Sequence, residues 1–201
     1  MTARRVLLLR HGLTDYNAEG RFQGQTDVPL NETGLAQAAA AAERLAGRGI
    51  TRVVSSDLQR AAVTARQVAD RLDLPVTLDP RLQEINVGSW AGLTAAQIAQ
   101  TDPDLWAPIG AGEDGRYSPI GETASGAAVR VASAIIELAH AAADDDVLLA
   151  VGHGFTTRLA ALRLIGVDQR QAKAFHGIGN CHWTELRPQE PTWRLYAYNC
   201  S

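Results

Sequence analysis

Apolar positions along this chain fall into two patterns. Short unbroken runs at Val6–Leu9, Arg52–Ser55, Pro75–Leu78 and Val147–Val151 have the length and β-propensity of strands. Between them, apolar residues recur at helical spacing. The alanine-rich run after Asn31 continues to Leu45, and the second set is Leu58, Ala62, Ala65, Val68 and Leu72. Thr123–Ala142 and Thr156–Leu164 repeat the helical pattern. Asn31 is the expected N-cap of the first helix, with Glu32 in its first turn, and Gly47 and Gly49 end it. Ser56 or Asp57 is the expected cap of the second. A short helix is expected over Thr94–Gln100, stopped near Pro103. Two further strand candidates, Cys181–Leu186 and Trp193–Tyr198, have no helix between them. Gly12–Leu30 and Pro80–Gly92 read as irregular. Residues 102–121, with three prolines and four glycines, show no period at all.

Strands alternating with helices predict an α/β fold, a three-layer α/β/α sandwich on a mainly parallel sheet. The helix-free link between the last two strands predicts one antiparallel strand. No repeat, linker or low-complexity tract divides residues 1–201, so a single domain is expected. The net charge of −3 argues against nucleic acid or an anionic membrane as partner, so any anion site must be a local cluster of basic groups. Two cysteines, Cys181 and Cys200, are too few for a disulfide framework. The apolar run behind Arg4-Arg5 is too short for a signal peptide, and no run approaches the ~20 residues of a membrane span. The chain reads as a soluble cytoplasmic protein.

Candidate chemistry concentrates at strand ends. Arg10-His11-Gly12 closes the first run, Arg60 falls in the first turn of the helix after the second, and His153 lies between Gly152 and Gly154 after the run at Val147. If these strands are parallel, all four side chains meet at one carboxyl edge, where open α/β sheets bind ligands. A cation in a first helical turn opposes the helix dipole at a cost of a few tenths to ~1 kcal/mol, and a bound anion reverses that sign. Arginines bind phosphate bidentately, and they disfavour a neighbouring imidazolium. His11 is therefore the candidate nucleophile on phosphorus. His153 is a second donor to the phosphoryl oxygens. Glu84 is the candidate proton donor to the leaving oxygen, and then the base for the attacking water. The scheme needs no metal and no cofactor. His140, His176 and His182 have no motif partner and read as surface or core residues. Trp106 and Tyr117 fit either a cleft wall or a pinned loop.

Together, Arg10-His11-Gly12, Ser55-x-Asp57-Leu58-x-Arg60-Ala61 with Thr64-Ala65, Leu82-x-Glu84 with Gly88-x-Trp90-x-Gly92, and Gly152-His153-Gly154 resemble the histidine phosphatase (phosphoglycerate mutase-like) superfamily. The resemblance runs through nearly the whole chain in order. It implies a phosphohistidine on His11, a phosphate pocket of Arg10, Arg60 and His153, and Glu84 as acid. It adds Asn17, Gln23, Gly24 and Gly154 as substrate contacts and residues 93–121 as a variable cap. Phe155 stands where many members have a second small residue, and Gln83 where many have arginine. The short cap implies a phosphomonoesterase, with a phosphoglycerate mutase using the same residues as the alternative. Asp15-Tyr16-Asn17, Phe22-Gln23-Gly24-Gln25 and Gly179-Asn180-x-x-Trp183 are most similar to an actinobacterial branch that acts on glucosyl-3-phosphoglycerate. The expected partner is thus a small phosphorylated metabolite, a sugar or glycerate phosphate, with a homodimer left open. Two rivals belong to other classes. A metalloenzyme could use the two histidines and Glu84, although arginines beside them would repel a cation. A non-catalytic phosphate-binding module would keep the arginines without turnover.

Overall fold

Val6 and Leu8 face one side of the first strand and Leu7 and Leu9 the other, and all four are buried. That alternation sets the architecture of the computed structural model, which describes residues 2–189 and 192–201. The strand, β1 (Arg5–Arg10), is covered on both faces, so each apolar side chain contributes ~1.5–3 kcal/mol of burial. On one face Leu7 and Leu9 pack against α2 (Glu32–Leu45) and α3 (Gln59–Leu72). On the other, Val6 and Leu8 pack against α6 (Ala124–His140) and α7 (Gly154–Leu164). The result is three layers, helices on either side of one sheet.

The sheet has six strands in the order β3-β2-β4-β1-β5-β6. Here β2 is Arg52–Ser55, β3 Val76–Leu78 and β4 Val147–Gly152, all parallel to β1. The antiparallel strand is β5 (Trp183–Gln189), which pairs with β1 on one side and with β6 (Thr192–Cys200) on the other. Among the described residues no helix separates β5 from β6, and the two pair antiparallel, as the sequence predicts for a helix-free link.

Asn31 caps α2 by accepting the Gly34 N–H at 2.9 Å. The start of that helix packs against the end of β1. A Cβ on Gly12 would lie 2.4 Å from the Gly34 carbonyl oxygen, so this close approach requires glycine. The cap of α3 differs from expectation. Its N-cap is Leu58, with no side-chain bond of its own, and Asp27 from the loop between β1 and α2 accepts the Gln59 N–H at 2.7 Å. Ser56 accepts the N–H of Leu58, at 3.3 Å, and not one within the helix. A cap supplied from far along the chain leaves no local signature.

Two stretches without sequence periodicity contain helices. The loop after β1 holds one turn, α1 (Asp15–Ala18), closed by a capping box between Thr14 and Asn17. Beyond α4 (Ala95–Thr101), Pro103 starts α5 (Pro103–Ala111), which carries Pro108 inside it. Pro103 opens a helix because the missing N–H costs nothing at its first position. Trp90, Trp106 and Tyr117 tie this region together around a third apolar cluster. Among the described residues no helix is long and apolar enough to cross a membrane.

Candidate active site

Because β1 and β4 are parallel with Arg10 opposite Gly152, the next residues, His11 and His153, meet across the carboxyl edge of the sheet. Their rings touch edge-on, with centroids 5.2 Å apart. His11 Nδ1 lies 2.6 Å from the Gly12 carbonyl oxygen. A carbonyl only accepts, so Nδ1 carries the proton and Nε2 keeps its lone pair. Burial first, then the charges of Arg60 and Arg10, hold the His11 pKa well below 6.5, so the ring is neutral.

His153 is also fully buried, and burial followed by Arg60 holds its pKa well below 6.5. Its Nε2 is 2.9 Å from the Ser56 hydroxyl, which accepts the Leu58 N–H. With the hydroxyl proton pointed at Nε2, the His153 ring carries its proton on Nδ1. That Nδ1 has no protein partner.

Both arginines are oriented by backbone carbonyls. Arg60 is 1% exposed and donates to Thr26 O and Gly24 O, each at 2.7 Å. Its position in the first turn of α3 thus lets it fasten the 24–26 loop. Burial lowers its pKa to about 10, which leaves it charged at neutral pH. Arg10 donates to Ile178 O at 2.7 Å. The Nε atoms of both side chains are buried without a protein acceptor.

Glu84 approaches from the loop after β3. Its Oε1 accepts the N–H groups of Ile85 at 2.9 Å and Thr156 at 3.0 Å, and Oε2 accepts that of Phe155 at 3.1 Å. Two of those donors are N–H groups in the first turn of α7, which have no partner within the helix. Arg130 on α6 holds the same loop from behind. It donates to the carbonyls of Arg81 at 2.8 Å, Gln83 at 2.9 Å and Glu84 at 3.2 Å, and it ion-pairs with Glu122 at 2.8 Å.

These groups open into a cleft of about 400 Å³. Arg10, His11, Arg60 and Glu84 line it, as do Asn17, Gln23, Gly24 and Gly154. His153 packs against His11, and its buried Nδ1 meets no protein acceptor. Trp106 and Tyr117 are part of the wall, and His140, His176 and His182 are not. Gln83 turns away to bond Asp57 at 2.7 Å, whereas Phe155 faces the cleft with its ring 5.6 Å from that of Tyr117. Among the described residues no three His, Cys, Asp or Glu side chains form a metal-ligand set.

Sequence reasoning passed over Glu122, Arg130 and Arg158, gave Ser56 only a capping role, and took Thr64 only as part of a motif. Thr64 accepts the Gly12 N–H at 3.1 Å and donates to Arg60 O at 2.8 Å, linking the histidine loop to the arginine helix. Arg158 lines the cleft one turn after Phe155, and that three-residue step was its available signal.

A strand-end histidine flanked by one buried and one half-buried arginine, with a carboxyl group across a cleft, is the arrangement of a phosphoryl-transfer family. The family model of the histidine phosphatase superfamily (branch 1) matches residues 6–201, and the chain belongs to that superfamily. Glucosyl-3-phosphoglycerate phosphatase of Mycobacterium tuberculosis is 37% identical, over 100% of this chain and 96% of that protein. A mycobacterial glucosyl-3-phosphoglycerate phosphatase solved with VO3 is 39% identical at a TM-score of 0.89, covering 98% of this chain and 100% of the other. A Yersinia pestis protein named "Probable phosphoglycerate mutase GpmB" is 32% identical over 94% of this chain and 86% of its own length.

Proposed function

We propose that the protein hydrolyses phosphomonoesters through a phosphohistidine on His11. The observation that carries this reading is the 2.6 Å contact between His11 Nδ1 and Gly12 O, which leaves Nε2 of a neutral ring facing a cleft lined by Arg10 and Arg60. Nε2 attacks phosphorus as the ester P–O bond breaks, with Arg10 and Arg60 neutralising the phosphoryl oxygens. His153 Nδ1–H is the further donor we assign to those oxygens. Glu84 gives its proton to the leaving oxygen. The resulting carboxylate takes a proton from water, which attacks phosphorus as the P–N bond breaks, and inorganic phosphate leaves. Asn17, Gln23, Gly24 and Gly154 complete the wall around the phosphate.

The substrate we propose is a small phosphorylated sugar or glycerate, with glucosyl-3-phosphoglycerate the first candidate. Two lines support it: the names of the mycobacterial relatives, and a cleft roomy enough for more than a phosphate, with Phe22, Trp106 and Tyr117 in its wall. The test is an acid quench during turnover of labelled substrate. Label should appear on His11, stable to alkali and labile to acid, and His11→Ala should abolish both label and turnover. An adduct on any other residue overturns the assignment. The relative named as a mutase supports a second reading, in which the phosphoryl group returns to glycerate. Conversion of 3- to 2-phosphoglycerate with a bisphosphate primer, faster than phosphate release, would favour it.

A further inference from the structure

We propose that Arg158 is a specificity-determining residue that binds a carboxylate carried by the substrate beside its phosphate. This rests on the phosphatase reading of the same cleft and narrows its substrate class to phosphorylated acids. The lining holds four arginines, Arg10, Arg21, Arg60 and Arg158, against one carboxyl group, Glu84. Arg10 and Arg60 belong to the phosphate. Arg21 is already matched, since it ion-pairs with Glu19 and donates to Gly92 O at 2.8 Å. Arg158 is left with a cation and little to satisfy it. Its Nη1 reaches Phe175 O at 3.3 Å, its guanidinium lies 5.5 Å from the centre of the Phe155 ring, and its Nε is buried without a partner.

The setting makes that unmatched charge costly unless a ligand answers it. A partly buried guanidinium beside aromatic rings is poorly solvated, and cation–π contact with phenylalanine offsets only part of the loss. An anion in the cleft would offset the rest. The planar fork of guanidinium donors fits a carboxylate bidentately, and a single positive charge matches a carboxylate better than a second phosphate dianion. Phe155 is part of the same device. Its backbone N–H holds Glu84 while its ring backs Arg158, so the start of α7 both anchors the proton donor and carries the proposed carboxylate reader. A substrate seated with its phosphate on His11 would have its acid group read at the far side of the cleft.

The experiment compares 3-phosphoglycerate with glycerol 3-phosphate, which carries a hydroxymethyl group in place of the carboxylate, using the full-length enzyme. The wild type should prefer 3-phosphoglycerate in kcat/KM by tenfold or more. Arg158→Gln should reduce that preference at least tenfold, chiefly through KM, and Arg158→Lys should restore part of it. A loss confined to one member of the matched pair separates recognition from a general structural defect. Inhibition of wild-type p-nitrophenyl phosphate hydrolysis, stronger by 3-phosphoglycerate than by glycerol 3-phosphate, gives the same answer without a variant. An unchanged preference in Arg158→Gln, or a wild type indifferent to the carboxylate, overturns the assignment while hydrolysis of p-nitrophenyl phosphate keeps the phosphatase reading alive. A wild type that hydrolyses none of the three overturns both.

Discussion

Arg10 packs flat against Gly154: a Cβ at residue 154 would stand 2.8 Å from Arg10 Nε and 3.1 Å from Cζ. The glycine after His153 is therefore a space requirement of the arginine, and the two fingerprint motifs are coupled through one contact. Gly154→Ala should displace the guanidinium while leaving α7 intact, because alanine favours helix. The expected result is a loss in kcat/KM on the order of 10–100-fold with little change in melting temperature. Weaker inhibition by inorganic phosphate or vanadate, measured alongside, would locate the defect at the anion. An unchanged Ki would contradict the coupling.

The Glu84 carboxyl group uses both oxygens to accept backbone N–H groups, so an amide cannot replace it without penalty. In Glu84→Gln either orientation turns an NH2 toward an N–H donor. The substitution should lower stability by ~1–3 kcal/mol, read from urea unfolding, as well as remove the acid. The two effects separate by leaving group. Turnover of sugar or glycerol phosphates should fall far more than that of p-nitrophenyl phosphate, whose phenolate departs without a proton. Equal losses would remove Glu84 from the acid role.

Arg130 serves Glu84 through the backbone. Its guanidinium spans three carbonyls of the 81–84 loop and pairs with Glu122, which in turn accepts the Asn86 N–H at 2.8 Å. The partly buried pair holds the Glu122 carboxyl below its usual range despite the opposing effect of burial. Arg130→Ala should cost about 2 kcal/mol of stability, because several acceptors lose their donor at once. It should also reproduce, more weakly, the leaving-group dependence of Glu84→Gln. A purely structural role would lower the rates with all leaving groups alike.

The framework was readable because its signals are local. Alternating burial in β1, the Asn31 cap and the alanine-rich face of α2 each follow from neighbours in sequence. The motif residues were readable for a different reason: strand ends in a parallel sheet converge whatever lies between them, so topology alone brings Arg10, Arg60 and His153 to one edge. What escaped depends on distant partners. Asp27 caps a helix 32 residues away, and Arg130 makes its bonds to the loop across 46–49 residues. The helix at Pro103–Ala111 escaped because it is held by Trp106 against Trp90 and Phe22 rather than by amphipathic spacing.

The two neutral histidines should leave a signature in both activity and stability. The lowered His11 pKa places the acid limb of kcat/KM, which reports the free enzyme, below pH 6.5. For stability the unfolded chain binds protons at these histidines near pH 6.5 and the folded chain does not, so stability rises with pH between the lowered folded values and 6.5. Their contribution is complete above that window and is lost as the pH falls through it. The carboxylates with lowered values, Asp79, Glu122, Asp146 and Asp168, start from 3.8 or 4.5, so their losses begin only at lower pH. Urea midpoints should therefore stay level from pH 8 to 7 and decline between about 6.5 and 4.5, before carboxylate protonation adds to the fall. Saturating inorganic phosphate should deepen the decline by stabilising the neutral-histidine site at the upper end of the range. A midpoint that stays flat down to pH 4.5 would mean that His11 and His153 take up protons without opening the fold, and the neutral-nucleophile mechanism would lose its electrostatic basis.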